Sequence, residues 1–210
     1  TLDYMGGGGG SGKSYTIAQG VVQVPGKGKA VQINSDDIKL EIPEFRKRAA
    51  SDDPDISMGA ANYVHEESSK ITSMLTRAAM ARGLNIVIDG VASNPEKLSK
   101  EIQTAKENGY SAVRAHYVAT PTEAALASSR ARYSDNPNKE ERRYVPDDVI
   151  MSAHREVSAN FSTLAGLFDS VEVVQNDRKT PVRRIAYKES GGEMQVLDPA
   201  AYQAFLDKGK

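Results

Sequence analysis

Short apolar runs alternate with longer amphipathic stretches along the chain. Leu2–Met5, Ala30–Asn34, Asn85–Gly90, Ser111–Ala119 and Ser170–Val174 have the length and apolar content of buried strands. The stretches between them predict helices over Tyr15–Val24, Pro43–Ala50, Ala60–Arg82, Asn94–Gly109 and Pro146–Phe168. In the third, Tyr63, Ile71, Met74, Leu75 and Ala78 share a face and Gly83 is the stop. A further helix starts at Thr120-Pro121-Thr122-Glu123, which reads as a capping box with Pro just inside. Pro25-Gly26-Lys27-Gly28-Lys29 reads as a turn and Ser51–Asp55 as a loop. Beyond Asn176, Gly191-Gly192 turns a hairpin between Arg184–Lys188 and Met194–Leu197, and Asp198-Pro199 caps a last helix. This alternation predicts an α/β fold with a parallel sheet flanked by helices. Residues 1–178 make the main domain, and the hairpin and helix of 179–210 are appended to it. In such sheets ligands bind beyond the carboxyl ends of the strands.

The first strand runs into Gly6-Gly7-Gly8-Gly9-Gly10-Ser11-Gly12-Lys13-Ser14. Gly7, Gly12, Lys13 and Ser14 fit G-x-x-x-x-G-K-[ST], the P-loop pattern. Glycines let a backbone wrap phosphate oxygens closely with its N–H groups turned inward. Lys13 then reaches the β- and γ-phosphates, and the Ser14 hydroxyl is placed to ligate Mg²⁺. A flexible glycine linker is the competing reading, and a strand before with a helix after argues against it. The nucleotide side of the site is assigned to Gly7, Gly8, Gly9, Gly10, Ser11, Gly12, Lys13, Ser14 and Tyr15, with Asn176 at the end of the last strand. ATP and Mg²⁺ are the expected cofactors.

Composition narrows the picture from the other side. The 210 residues suffice for one domain with its own core, and the net charge of −1 weighs against a nucleic-acid partner. The absence of cysteine, of an apolar run long enough to span a bilayer and of a signal peptide fits a cytoplasmic protein with no membrane partner. A start at Thr1 suggests a domain cut from a longer protein, with a trimmed first strand.

Polar groups gather at the predicted strand ends: Asp36 and Asp37 after the second, Asp89 after the third, and Asn176 with Asp177 after the last. A kinase needs a carboxylate to deprotonate the acceptor hydroxyl, and Asp36 or Asp37 can supply it. Asp89 can bind substrate or act on Mg²⁺, as the acid of a Walker B motif does. Arg130, Arg132, Arg142 and Arg143 flank a polar segment, about 130–145, that can close over phosphates as a lid. His116 reads as structural, and His65 and His154 lack metal-ligand spacing.

In these residues the chain resembles the zeta-toxin family of P-loop kinases. The match runs through Gly12-Lys13-Ser14, Ile33-Asn34-Ser35-Asp36 with Pro43-Glu44-Phe45, Asn85–Gly90, Gly109-Tyr110, Arg132-Tyr133, and Arg143 ahead of Pro146. The resemblance implies a P-loop kinase-type sheet with an arginine-bearing lid. It also implies transfer of the ATP γ-phosphate to the 3′-hydroxyl of the sugar in UDP-N-acetylglucosamine. Counting back from Pro43 puts the family's general base on Asp36. The two lid arginines fall on Arg132 and Arg143, and the acid of the third strand falls on Asp89. Many members are held inactive by a small helical antitoxin, so an antitoxin or immunity protein is a candidate partner. The family's E-G-T after the third strand reads Asp89-Gly90-Val91 here. A helix carboxylate of the family falls on Ser73, with Glu66 and Glu67 about two turns earlier.

The alternatives are a P-loop kinase of another acceptor, a dinucleotide ribose hydroxyl or a polynucleotide 5′-hydroxyl, and a non-kinase ATPase or switch. Gln175-Asn176-Asp177-Arg178 does not fit the guanine-reading N-K-x-D of GTPases.

Overall fold

The computed structural model describes residues 1–26 and 28–210. Lys27, in the turn expected at 25–29, lies outside the described residues. Five strands are parallel: β1 (Leu2–Gly6), β2 (Val31–Asn34), β3 (Ile86–Asp89), β4 (Val113–Ala119) and β5 (Ser170–Gln175). Two antiparallel strands, β6 (Arg183–Lys188) and β7 (Gln195–Val196), extend the same sheet in the order β2-β3-β1-β4-β5-β6-β7. The α/β class and the parallel sheet are as expected. β1, whose five residues are all buried, lies at the centre with the glycine loop at its carboxyl end.

The helices are α1 (Lys13–Ala18), α2 (Ser35–Glu41), α3 (Pro43–Ala49), α4 (Pro54–Tyr63), α5 (His65–Ala81), α6 (Pro95–Glu107), α7 (Thr122–Ser134), α8 (Asp147–Leu167) and α9 (Pro199–Leu206). On one sheet face Leu2, Tyr4, Ile86 and Tyr117 pack with Ile102 of α6, Phe161 of α8 and Phe205 of α9. On the other, Met5, Val87, Val118 and Val174 pack with Val22 and Ile17. A separate small core of Ile42, Phe45, Ala49, Ala60, Ala61 and Val64 joins α3 and α4 beside the site. The C-terminal hairpin and α9 bury Ile185, Ala186 and Phe205 in the main core.

Four local expectations change. The helix expected over Tyr15–Val24 stops at Ala18. Gly20 turns left-handed at φ 71°, and the valines that follow lie against the sheet in non-helical backbone. Asp36 and Asp37 sit in the first turn of α2, whose N-cap Asn34 accepts from the Asp36 N–H at 2.9 Å. The loop at 51–55 and helix at 60–82 become two helices broken at buried Val64. Within α5 the packing also turns a different face inward from the expected one. Tyr63, Met74 and Leu75 are 63%, 57% and 45% exposed, while α5 buries Ser68, Thr76, Ala79 and Met80. Ser68 and Thr76 bond to carbonyls of their own helix, which makes burying them inexpensive. Finally, Thr120 caps nothing. Pro121 is the N-cap of α7, and the Thr120 hydroxyl donates instead to the Ser11 carbonyl.

Candidate active site

The loop from Gly7 to Gly12 is shaped by contacts that only glycine permits. Gly10 has φ 75°, and a Cβ there would fall 2.1 Å from the Ala125 carbonyl oxygen. A Cβ on Gly8 would meet the His154 ring at 2.3 Å. Loop carbonyls are held from outside. His154 Nε2 donates to Gly9 O at 3.1 Å, Arg178 to Gly10 O at 3.2 Å, and both Thr120 Oγ1 and Asn176 Nδ2 to Ser11 O at 2.8 Å. In a planar trans peptide the N–H points opposite to the preceding C=O. Holding the Gly9 and Ser11 carbonyls therefore turns the Gly10 and Gly12 amides to the other side. Neither amide makes a main-chain hydrogen bond among the described residues. Burial pushes the His154 pKa down to about 4, aided by Lys208 and Lys13, so at neutral pH the ring is uncharged and donates from Nε2.

In front of the loop lies a cavity of about 290 Å³ lined by Gly9–Lys13, Asn34, Asp36, Asp37, Asp89, Arg132 and Arg143, among others. Lys13 Nζ donates to Gly7 O at 3.1 Å and lies 3.4 Å from the Asp89 carboxylate. Asp36 is paired with Arg143 at 2.7 Å and with the buried Lys39 at 3.2 Å. Burial raises the Asp36 pKa, but Arg143 and Lys39 outweigh it and hold the carboxyl below its usual range. Asp89 goes the other way: burial and the nearby Asp36 and Asp37 raise its pKa against the pull of Lys13. Burial drives the Arg143 pKa down against Asp36, and the neighbouring Arg132 adds to the fall. The Arg143 Nε is buried and makes no hydrogen bond among the described residues. Lys13 and the guanidiniums of Arg132 and Arg143 give this cavity cationic donors suited to an anion, set beside the carboxylates of Asp36, Asp37 and Asp89.

The segment expected to act as a lid, about 130–145, lines this cavity with Arg132, Asn136, Glu141 and Arg143 and contains a 3-10 turn at Lys139–Glu141. It is docked on the helical side by the Lys139–Asp52 ion pair at 2.9 Å and by Tyr133 Oη against Ser57 Oγ at 3.2 Å, while the edge-on Tyr133–Tyr144 pair joins its own two ends. Of the four lid arginines, Arg132 and Arg143 line the cavity. Arg130 pairs with Asp147, and Arg142 donates to the Asn136 carbonyl. Asn176 is fully buried with its amide on Ser11 O, behind the loop. Tyr15 is exposed near the Arg178 guanidinium, 5.9 Å from its ring centroid. His116 is buried between Asp3 and Glu172, away from the cavity.

Ser14 is exposed at the start of α1, and Asp89 lines the cavity beside Lys13. Ser14 is not among the residues that line the cavity, so of the two oxygen donors expected for Mg²⁺ only the Asp89 carboxylate lies there. Among the described residues no group of three or more His, Cys, Asp or Glu could hold a metal by itself. Sequence reasoning missed His154, Thr120, Arg178 and Lys39. Thr120 gave a signal of the wrong kind, a cap, and the others gave none.

A glycine loop closing a central parallel strand, followed by Gly-Lys-Ser and facing acids and arginines, defines a P-loop protein of the α/β class. The chain belongs to the Zeta toxin family, whose model matches residues 1–187. No curated protein sequence matches it significantly. Among solved structures, the AvrRxo1-ORF1:AvrRxo1-ORF2 complex with sulphate ions contains a chain similar to all of this one, at 20% identity and TM-score 0.76. The AvrRxo1-ORF1:-ORF2 complex with ATP gives 21% and 0.75. In both cases this chain spans 64% of the chain it matches. A structure from the PezAT toxin-antitoxin system of Streptococcus pneumoniae matches 99% of this chain and 84% of its own, at 21% identity and TM-score 0.62. These likenesses establish the shared fold. No helix among the described residues is long and apolar enough to cross a membrane.

Proposed function

We propose that the chain is an ATP-dependent phosphotransferase of zeta-toxin type, moving the ATP γ-phosphate to a sugar hydroxyl, that of UDP-N-acetylglucosamine first among candidates, and acting as a toxin through that transfer in the cytoplasm. The observation that carries this reading is the meeting of the glycine loop, Lys13, Arg132, Arg143 and the Asp36 carboxylate around one cavity. Family membership and the ATP held by the similar AvrRxo1-ORF1:-ORF2 complex support it.

The Asp36 carboxylate accepts the proton of the acceptor hydroxyl as that oxygen bonds to the γ-phosphorus. The bond from the γ-phosphorus to the β,γ-bridging oxygen breaks, and its electron pair leaves on ADP. Lys13 and the two arginines hold the equatorial phosphoryl oxygens. Asp89 would hold Mg²⁺, which when bound neutralises phosphate charge. Arg143 passes from Asp36 to the phosphoryl group as the nucleotide enters, and loss of that cation strengthens Asp36 as a base. Asp37, Asn136 and Glu141, which also line the cavity, offer hydrogen-bonding groups to sugar hydroxyls. The toxin-antitoxin origin of the similar PezAT structure supports a small antitoxin as partner.

Mass spectrometry after incubation with ATP, Mg²⁺ and UDP-N-acetylglucosamine tests this, with Asp36→Asn as control. A phosphate on the sugar nucleotide with wild type alone supports enzyme class and acceptor together. ADP released without a modified sugar removes that acceptor.

A further inference from the structure

The phosphate loop is braced from behind by the last residues of the chain. The Ser11 carbonyl accepts from Thr120 Oγ1 at 2.8 Å, and Thr120 is fully buried. The Thr120 carbonyl in turn accepts from Lys208 Nζ at 2.5 Å. Lys208 belongs to a 3-10 turn at Asp207–Gly209, outside residues 1–187 matched by the family model. That turn is built into the molecule. A Cβ on Gly209 would lie 2.4 Å from the Ala159 nitrogen of α8, an approach that only glycine permits. Just before it, Phe205 is buried edge-on against Phe161, with ring centroids 4.9 Å apart.

The Lys208 ammonium is a half-buried cation whose bond is to a main-chain carbonyl rather than a carboxylate. Burial alone pushes its pKa down to about 8. Desolvating a cation without a counter-ion is unfavourable, and an anion bound nearby offsets that cost. His154, whose ring touches the loop at Gly8 and Gly9, feels the charges of both Lys208 and Lys13.

We propose that Lys208 is a positioning residue of the phosphate site, holding the Thr120 carbonyl and, through Thr120, the Ser11 carbonyl, so that the loop amides stay turned toward the nucleotide phosphates. This rests on the reading of the cavity as an ATP site. It gives the segment after β7 a part in ligand binding, beyond packing.

The test is the Kd for ATP, and for pyrophosphate alongside, by calorimetric titration of wild type, Lys208→Met, Lys208→Arg, Thr120→Val and the double variant Lys208→Met/Thr120→Val. Thermal melts of each are recorded in parallel. Each of Lys208→Met and Thr120→Val raises the Kd by about 5- to 30-fold, the size expected for one buried bond. Lys208→Arg stays within about threefold of wild type, because it keeps a cation and a donor. The double variant weakens binding about as much as one single variant, because the two contacts act in series. Kd values within about twofold of wild type, with lowered melting temperatures, would leave the tail as packing and overturn the proposal. Should Lys208→Met not fold, Thr120→Val decides by the same criterion. A wild type that binds pyrophosphate but not ATP overturns the ATP reading, and the Lys208 comparison is then read on pyrophosphate. Binding of neither overturns both.

Discussion

At Asp36 burial and cation pairing pull in opposite directions, and the cations win. The carboxylate is therefore ionised at neutral pH, yet in its pair with Arg143 it is a weak base. Asp36→Asn keeps ATP binding and lowers transfer by about 10²-fold or more, as measured by single-turnover phosphate transfer beside an ATP titration. Arg143→Ala lowers turnover more than ATP affinity. It also moves the acidic limb of the kcat/KM pH profile upward, because in the free enzyme removing the adjacent cation raises the Asp36 pKa; a limb that stays in place would mean that Arg143 does not act on the base. Gly10→Ala forces a Cβ onto the Ala125 carbonyl at a left-handed φ. It destabilises the fold by about 1–3 kcal/mol, seen as a lowered denaturation midpoint.

At the scale of elements, the two longest helical stretches teach different lessons. α8 is one unbroken helix, and its buried positions Ile150, His154, Val157, Phe161 and Leu164 keep the 3-4 spacing of one face. Near its end Gly166 is exposed, and a Cβ there would meet nothing within 4 Å. Gly166→Ala therefore stabilises the protein by about 0.5–1 kcal/mol, checked by urea denaturation. The last turn of α4 and the whole of α5 read in sequence as one helix, 60–82, because Val64 and its neighbours carry no Gly or Pro to mark the break. Tertiary packing makes it, by drawing Val64 into the small core with Phe45. As Met74 and Leu75 are left on the surface, Met74→Lys with Leu75→Lys shifts the unfolding free energy by no more than about 0.5 kcal/mol for each change. A loss of several kcal/mol on denaturation would show that this face is covered.

Across the whole molecule the two ends of the parallel strands carry different electrostatics. The carboxyl ends present Lys13, Arg132 and Arg143 together with Asp36, Asp37 and Asp89 to an open cavity. Toward the other end, Asp3 lies fully buried against Arg114 and His116, and His116 bridges to Glu172 at 2.7 Å. Burial lowers the His116 pKa, but its bonds to Asp3 and Glu172 outweigh this and the net shift is upward. A raised pKa in the folded state contributes stability that is fully present below the unfolded value near 6.5 and is lost as pH rises through the folded value. Asp3 has the opposite sign: burial raises its pKa, the His116 and Arg114 bonds lower it further, and its contribution is lost as pH falls through its depressed value. The difference in melting temperature between wild type and His116→Gln therefore narrows from pH 6 to pH 9. A difference that widened over that range would contradict the pairing.

What the sequence determined by itself was whatever depends on local periodicity and on motifs of short span. The alternation of strands and helices, the P-loop with Lys13 and Ser14, the acids at the tips of the second and third strands and the arginines of the lid all lie within a few residues of the signal that marks them. The structure alone decided which long-range partners meet. It brought Arg132 and Arg143 to the cavity and sent Arg130 and Arg142 to Asp147 and Asn136. It spent the Thr120 hydroxyl on Ser11, 109 positions away, rather than on a cap. It set His154, Asn176 and Lys208 behind the loop and split one apparent helix in two. The reason is physical. A buried carbonyl must be satisfied by whatever donor the fold delivers, and that delivery depends on how whole elements stack, not on the neighbours of either partner in the chain.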